Sequence, residues 1–189
     1  MSSSSRASSR SRWLQRSARA AGAVGRDPSF AGLTALSWTL LIVSKGVIRA
    51  VPLRRITAHL GLDRHEAPAD SIPRDQLRRV RRVRQAILIA APLTPTNSNC
   101  YPQALTAHAL LRLSRLPSTF YYGAAFDAEG SGLDTHVWVR CGPYVVTGAP
   151  EHRRYAALAA FGHIPRRSPV AAVPARLDGP ALRTPRPPW

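Results

Sequence analysis

The sequence predicts an α+β fold: a cysteine at the start of one helix, packed on an antiparallel sheet that carries a histidine, with further helices ahead of both. Three observations predict it. Cys100 stands just before a segment whose small and apolar residues Ala104, Ala107, Leu110 and Leu111 recur at helical spacing. After that segment the pattern changes to period two, through a β-branched and aromatic run at 119–126, an alternating run at 135–140, and Tyr144–Thr147 beyond a Gly142-Pro143 turn. Before it, the runs 30–51, 53–60 and 71–91 carry apolar stripes at helical period, with stop signals at Pro52, Gly61 and Pro92.

With 189 residues there is room for one domain with a true core. The formal net charge is +17, and Lys45 is the single lysine behind it. Part of the arginine content follows a general Ala/Arg/Pro bias, so no nucleic-acid partner is assigned. Such a surface should still attract acidic partners: an acidic peptide, an acidic protein face, anionic lipid or, least expected of these, nucleic acid. Two cysteines, Cys100 and Cys141, cannot build a disulfide framework, and a reducing cytoplasm is the simplest compartment. No Cys-x-x-Cys, paired-His spacing or Gly-rich phosphate loop occurs, so neither a metal nor a cofactor is expected.

Four regions follow in order. Residues 1–29, rich in Ser, Arg and Ala, read as a disordered basic tail rather than an export signal, because the apolar run begins late. Residues 30–91 read as a helical region. The run 30–51 approaches bilayer length but is interrupted by Ser37, Thr39, Ser44, Lys45, Gly46 and Arg49. We read it as a helix packed on the protein or a partner. Membrane-surface contact is the alternative, since arginines flank both ends. A linker is expected at 66–72. Then comes a helix capped by Ser71, with Pro73 and Asp75 in its first turn and an apolar stripe of Leu77, Val80, Val83 and Ile87. Arg78, Arg79, Arg81, Arg82 and Arg84 cover the rest of that helix, as a solvated face or as a docking face for an acidic peptide or partner. Residues 92–162 read as the catalytic core: a helix over 101–115 with the capping types Asn97 and Asn99 ahead of it, the three-stranded meander, and a last helix over 151–161. Residues 163–189 read as a Pro/Arg-rich tail.

The chemistry follows from Cys100 and His136. The positive end of a helix macrodipole stabilises a thiolate, which is the nucleophilic form of cysteine. Lone cysteines at helix starts and lone histidines on strands are more often structural. A helix-start Cys followed by strands and a strand His is, however, the layout of papain-like and transglutaminase-like thiol enzymes. Alternation puts His136, Trp138 and Arg140 on one face of their strand and Val137, Val139 and Cys141 on the other. Cys141 is then a packing residue, and Trp138 lies on the substrate side or shields the ion pair. Cys100 attacks an acyl carbon, and His136 takes the thiol proton. The Cys100 backbone N–H, with Asn97, Asn99 or Gln103, holds the oxyanion. A third residue should orient His136, and Thr147 and Glu151 are the two candidates.

The residues Cys100-x-x-x-Ala104-Leu105-x-Ala107-x-x-Leu110-Leu111, an aromatic strand ending in Gly123, and His136-x-Trp138 resemble the leader peptidase of lasso-peptide biosynthesis, which has a transglutaminase-like cysteine-protease core. Val145-Val146-Thr147-Gly148 and Tyr155-Ala156-x-Leu158-Ala159-x-Phe161 are similar to its C-terminal stretch. The resemblance spans 30–162. It implies Cys100 as nucleophile, His136 as general base, and removal of a leader from a ribosomally made precursor peptide. An ATP-dependent lasso cyclase then uses the exposed amine. It also implies a small leader-recognition protein, expected as a separate chain because nothing before residue 95 reads as a strand-rich domain. Many members of the family are described with a Cys/His/Asp triad, whereas no Asp follows His136 on its strand here. Two rivals stand beside it: an acyl transferase that uses the same residues but joins where a peptidase cuts, and a non-enzymatic basic binding protein whose working surface is the arginine helix, for which Cys100 is dispensable.

Overall fold

The computed structural model describes residues 27–165, apart from 61, 64, 71, 96–97, 128–131 and 150. Most of the expected tails, at 1–26 and 166–189, lies outside the described residues, as do Ser71 and Asn97.

Four helices precede or face the sheet. α1 is Pro28–Ala50. It starts where Asp27 accepts hydrogen bonds from the N–H groups of Ser29 and Phe30, with Pro28 in the first turn where no N–H is needed. α2 is Leu53–Leu60 and α3 is Arg74–Ala90, the latter starting behind Pro73 with Asp75 in its first turn. α4 is Cys100–Leu113, so the cysteine is the first helical residue. Asn99 is its N-cap by position, but the Asn99 side chain makes no capping bond.

The sheet has five strands, β1 (Leu62–Asp63), β2 (Ser118–Phe126), β3 (Leu133–Cys141), β4 (Tyr144–Thr147) and β5 (Ala156–His163). They are ordered β1-β5-β2-β3-β4, and every pair is antiparallel. The expected meander is therefore present as β2-β3-β4. The helix expected over 151–161 is not. A 3-10 turn covers Glu151–Arg154, and β5 then runs between β1 and β2. Alanine favours helix by only a few tenths of a kcal/mol per residue over most residues. Pairing on both edges and burial of Ala160 and Phe161 outweigh that preference.

The stretch expected to be a linker is instead a strap bound to the sheet. His65 bridges to Phe161, Ala67 donates its N–H to Thr119 Oγ1 at 2.8 Å, and Glu66 pairs with Arg140 at 2.8 Å. Gly162 permits this approach, since a Cβ there would collide with the His65 carbonyl.

One core joins the regions read as separate. Leu60, Val80, Val83 and Ile87 from the preceding helices pack with Ala104, Leu110 and Leu111 of α4 and with Phe120, Val137, Val139, Cys141 and Val146 of the sheet. Cys141 is fully buried there, as alternation predicts, and burial pushes its thiol up to about 12. On the opposite sheet face Tyr121, Trp138 and Ala160 form a second cluster, with Tyr155 and Val145 against it.

Candidate active site

Cys100 and His136 line one cleft of about 380 Å³. α4 brings Cys100 and Tyr101 to it, β3 brings Thr135, His136 and Val137, and β2 brings Tyr122. The apolar end of its wall comes from Ile48, Val51 and Ile56, at and just beyond the end of α1. Asn99 lines the cleft beside Cys100. Gln103 is committed elsewhere. Its Nε2 donates to the Ser98 carbonyl at 2.6 Å, tying the loop to the helix. Asn97 lies outside the described residues.

The His136 ring is held by two neighbours that sequence reasoning missed. Nε2 is 3.0 Å from the carbonyl oxygen of Gly148. A carbonyl only accepts, so Nε2 carries the proton in this contact, and Nδ1 is left as the basic nitrogen of the neutral ring. On its flank the ring stacks on Tyr155, with centroids 4.8 Å apart. The Tyr155 hydroxyl donates to the Asp134 carboxylate at 2.6 Å, and that bond raises its pKa above the usual tyrosine value. Gly148 has φ +82, a left-handed backbone that suits glycine.

Neither candidate for the third catalytic residue meets His136. Thr147 pairs with Val139, because the β3–β4 register shifts between Val139 and Arg140. A tight turn without that bulge would have set Thr147 opposite Trp138, on the histidine's face. One extra residue moves the side chain to the other face. Thr147 is instead buried, with a hydroxyl that finds no partner among the described residues. Glu151 is exposed in the 3-10 turn.

Trp138 does not line the cleft. It is buried beneath the ring of Tyr121, stacked at 5.1 Å and 9°, and lies 6.2 Å from the His136 ring. It therefore shields the histidine rather than docking a substrate. Tyr101 is a further donor in the wall. Its hydroxyl is buried without a partner among the described residues, and burial pushes it up to about 12, so it stays protonated.

The arginine helix divides in two. Arg82 pairs with Asp27 at 2.8 Å and lies over the Phe30 ring, fastening α3 to the start of α1. Arg84 donates to the Val146 carbonyl at 2.7 Å, fastening α3 to β4. Both are structural, which corrects their assignment to docking. Arg78, Arg79 and Arg81 are exposed. No cluster of metal-binding side chains occurs among the described residues.

The model of a family described as the transglutaminase-like superfamily matches residues 46–160, more than half of the chain. The matched span starts in α1 and ends in β5, and it holds Cys100, His136 and Gly148. No curated protein and no solved structure matches the chain.

Proposed function

Because the chain belongs to the transglutaminase-like superfamily, we propose that it is a cysteine peptidase that removes the leader from a lasso-peptide precursor, in company with a separate leader-recognition protein and upstream of an ATP-dependent cyclase. One observation carries the thiol chemistry: a helix-start cysteine and a strand histidine share a cleft. The motif resemblance supports the finer assignment.

In this reading His136 Nδ1 accepts the thiol proton, and Cys100 Sγ bonds to the scissile carbonyl carbon. The oxyanion is met by the Cys100 backbone N–H, with Asn99 beside it. Collapse of the tetrahedral species breaks the C–N bond, and the imidazolium gives its proton to the leaving amine. Water, deprotonated by His136, then attacks the thioester and releases the acid. Because an amine entering in place of water would give acyl transfer, the product mass separates the two outcomes. Arg78, Arg79 and Arg81 face the leader's carboxylates in this scheme, and rising salt should raise the KM for precursor while leaving kcat unchanged.

The test is cleavage of precursor by the full chain with its recognition protein, followed by mass spectrometry. Cys100→Ala and His136→Ala should each lower the rate by about 10³-fold or more at unchanged melting temperature. Cys141→Ser should cut normally. Near-normal cleavage by Cys100→Ala would exclude the peptidase reading.

A further inference from the structure

α1 shows large apolar side chains on its outer face as well as its inner one. The face it buries against α3 and α4 includes Thr34, Ser37 and Ser44, with Phe30 and Leu41. Those hydroxyls are accounted for internally: Thr34 donates to the Phe30 carbonyl, Ser37 to the Leu33 carbonyl, and Ser44 meets Thr106 of α4 at 3.4 Å. Four large apolar side chains point the other way, while Leu33 and Leu40 pack against the core with Phe30 and Leu41. Leu36, Trp38, Val43 and Val47 are 42%, 39%, 51% and 36% exposed. A helix on a soluble surface keeps its outer face polar or charged. The exposed arc holds no charged residue until Arg49. Its polar atoms are already used, since Thr39 donates to the Ala35 carbonyl and the Trp38 indole to the Leu93 carbonyl. Leu93 is 65% exposed beside that indole, and Trp38, Leu93, Ala35 and Ala90 line a shallow apolar depression.

We propose that this arc of α1 is a membrane-docking surface, lying in the plane of an anionic bilayer with its apolar side chains at the headgroup boundary. The charge fits such an occupant. Arg49 closes the arc, and exposed Arg54 and Arg55 follow on α2. The sequence before Asp27 holds Arg6, Arg10, Arg12, Arg16, Arg19 and Arg26 with no Asp or Glu, in a chain of net charge +17. Apolar area joined to flanking arginines binds anionic lipid. α1 is long and apolar enough to cross a membrane. Spanning would nevertheless strip Phe30, Ser37, Leu41 and Ser44 from α3 and α4, the latter being the helix that starts with Cys100. Docking in the plane leaves those contacts in place.

The surface stands apart from the peptidase reading, and so does its test. The full chain is sedimented with vesicles of phosphatidylcholine alone or mixed with phosphatidylglycerol. It should bind the mixed vesicles, and the triple variant L36Q/V43Q/V47Q should lose about tenfold or more of that binding. All three positions are exposed, so the variant should keep the wild-type melting temperature. Lipids brominated on their acyl chains should quench the wild-type tryptophan emission, and Trp38→Phe should remove most of the quenching. The proposal is overturned if wild type stays in the supernatant with anionic vesicles, or if the triple variant binds as well as wild type, which would leave the arginines alone responsible. It is also overturned if wild type is a dimer without lipid that the triple variant breaks, which would give the face to a second copy of the chain.

Discussion

The main-chain carbonyl of Gly148 takes the hydrogen bond from His136 Nε2, the bond that a triad carboxylate would take in the proposed peptidase. The residue type is dictated by space as much as by its φ of +82. A Cβ there would lie 2.6 Å from Trp138 Cβ, 2.7 Å from the Val137 carbonyl oxygen and 3.0 Å from His136 Nε2 itself. Gly148→Ala should therefore push the imidazole from its place and lower kcat by about 10²-fold, the contribution of a positioned general base. Thr147→Ala and Glu151→Gln should leave kcat near the wild-type value, because neither side chain meets the ring. Full activity in Gly148→Ala, or collapse in Glu151→Gln, would return the third position to a side chain. Cys100 and His136 were legible in the sequence because a helix start and an alternating strand each leave a pattern in residue types. Gly148 was not, since a carbonyl is common to every residue and its placement depends on a one-residue bulge between Val139 and Arg140. Tyr155 was hidden differently: it lies in the stretch read as a helix, where nothing marks it as the neighbour of His136.

Among the elements, α4 starts with Cys100, and its far end is held by a backbone arrangement that arginine suits poorly. Leu116 N–H bonds to the Leu111 carbonyl and Arg115 N–H to the Arg112 carbonyl, the pairing of a Schellman cap. Leu111 and Leu116 also share the core. The cap places Arg115 at φ 53, where an L side chain is strained and glycine is the usual choice. Arg115 is exposed, so its side chain offers little in return. Arg115→Gly should raise stability by about 0.5–1 kcal/mol, the relief being partly offset by the greater entropy of glycine in the unfolded chain. Urea denaturation of the two proteins measures it, and an unchanged or lowered midpoint would show that the cap carries no strain. α1 to α4 and β2 to β4 were each legible within a few residues, because their apolar period and their breakers agree. β5 was not, since its Ala-rich run has helical propensity and no alternation, and its strand state comes from partners distant in sequence. The same holds for Arg82 and Arg84: a run of arginines does not reveal which two bind Asp27 and the Val146 carbonyl.

At the scale of the whole molecule, His108 ties the helical layer to the sheet. It sits on α4 within the core, 2% exposed. Its Nε2 donates to the Leu60 carbonyl at the end of α2, and Ser118 Oγ at the start of β2 is 3.3 Å from Nδ1. The rings of Phe120 and His163 stand edge-on at 6.1 and 6.3 Å. Burial is the main cause that lowers its pKa from 6.5 to about 4, with Arg112 and His163 acting in the same direction and the Leu60 bond opposing. The folded protein therefore holds His108 neutral, while the unfolded chain takes up its proton near 6.5. The resulting stability is fully present above 6.5 and is lost as pH falls toward 4. The gap between those values corresponds to about 3 kcal/mol. Asp27, whose carboxyl is held well below the usual range by Ser29 and Arg82, titrates at lower pH and leaves this window clear. His152 and His163, which burial also lowers, set a residual slope. Urea midpoints measured from pH 7 down to pH 4 should fall steeply for wild type. His108→Gln keeps an N–H for the Leu60 carbonyl and cannot take up a proton, so it should be less stable at pH 7 but fall less steeply. Parallel slopes in the two proteins would mean that the acid sensitivity lies elsewhere. Shallower loss in the variant would place the acid limit of the fold on α4, the helix that starts with Cys100.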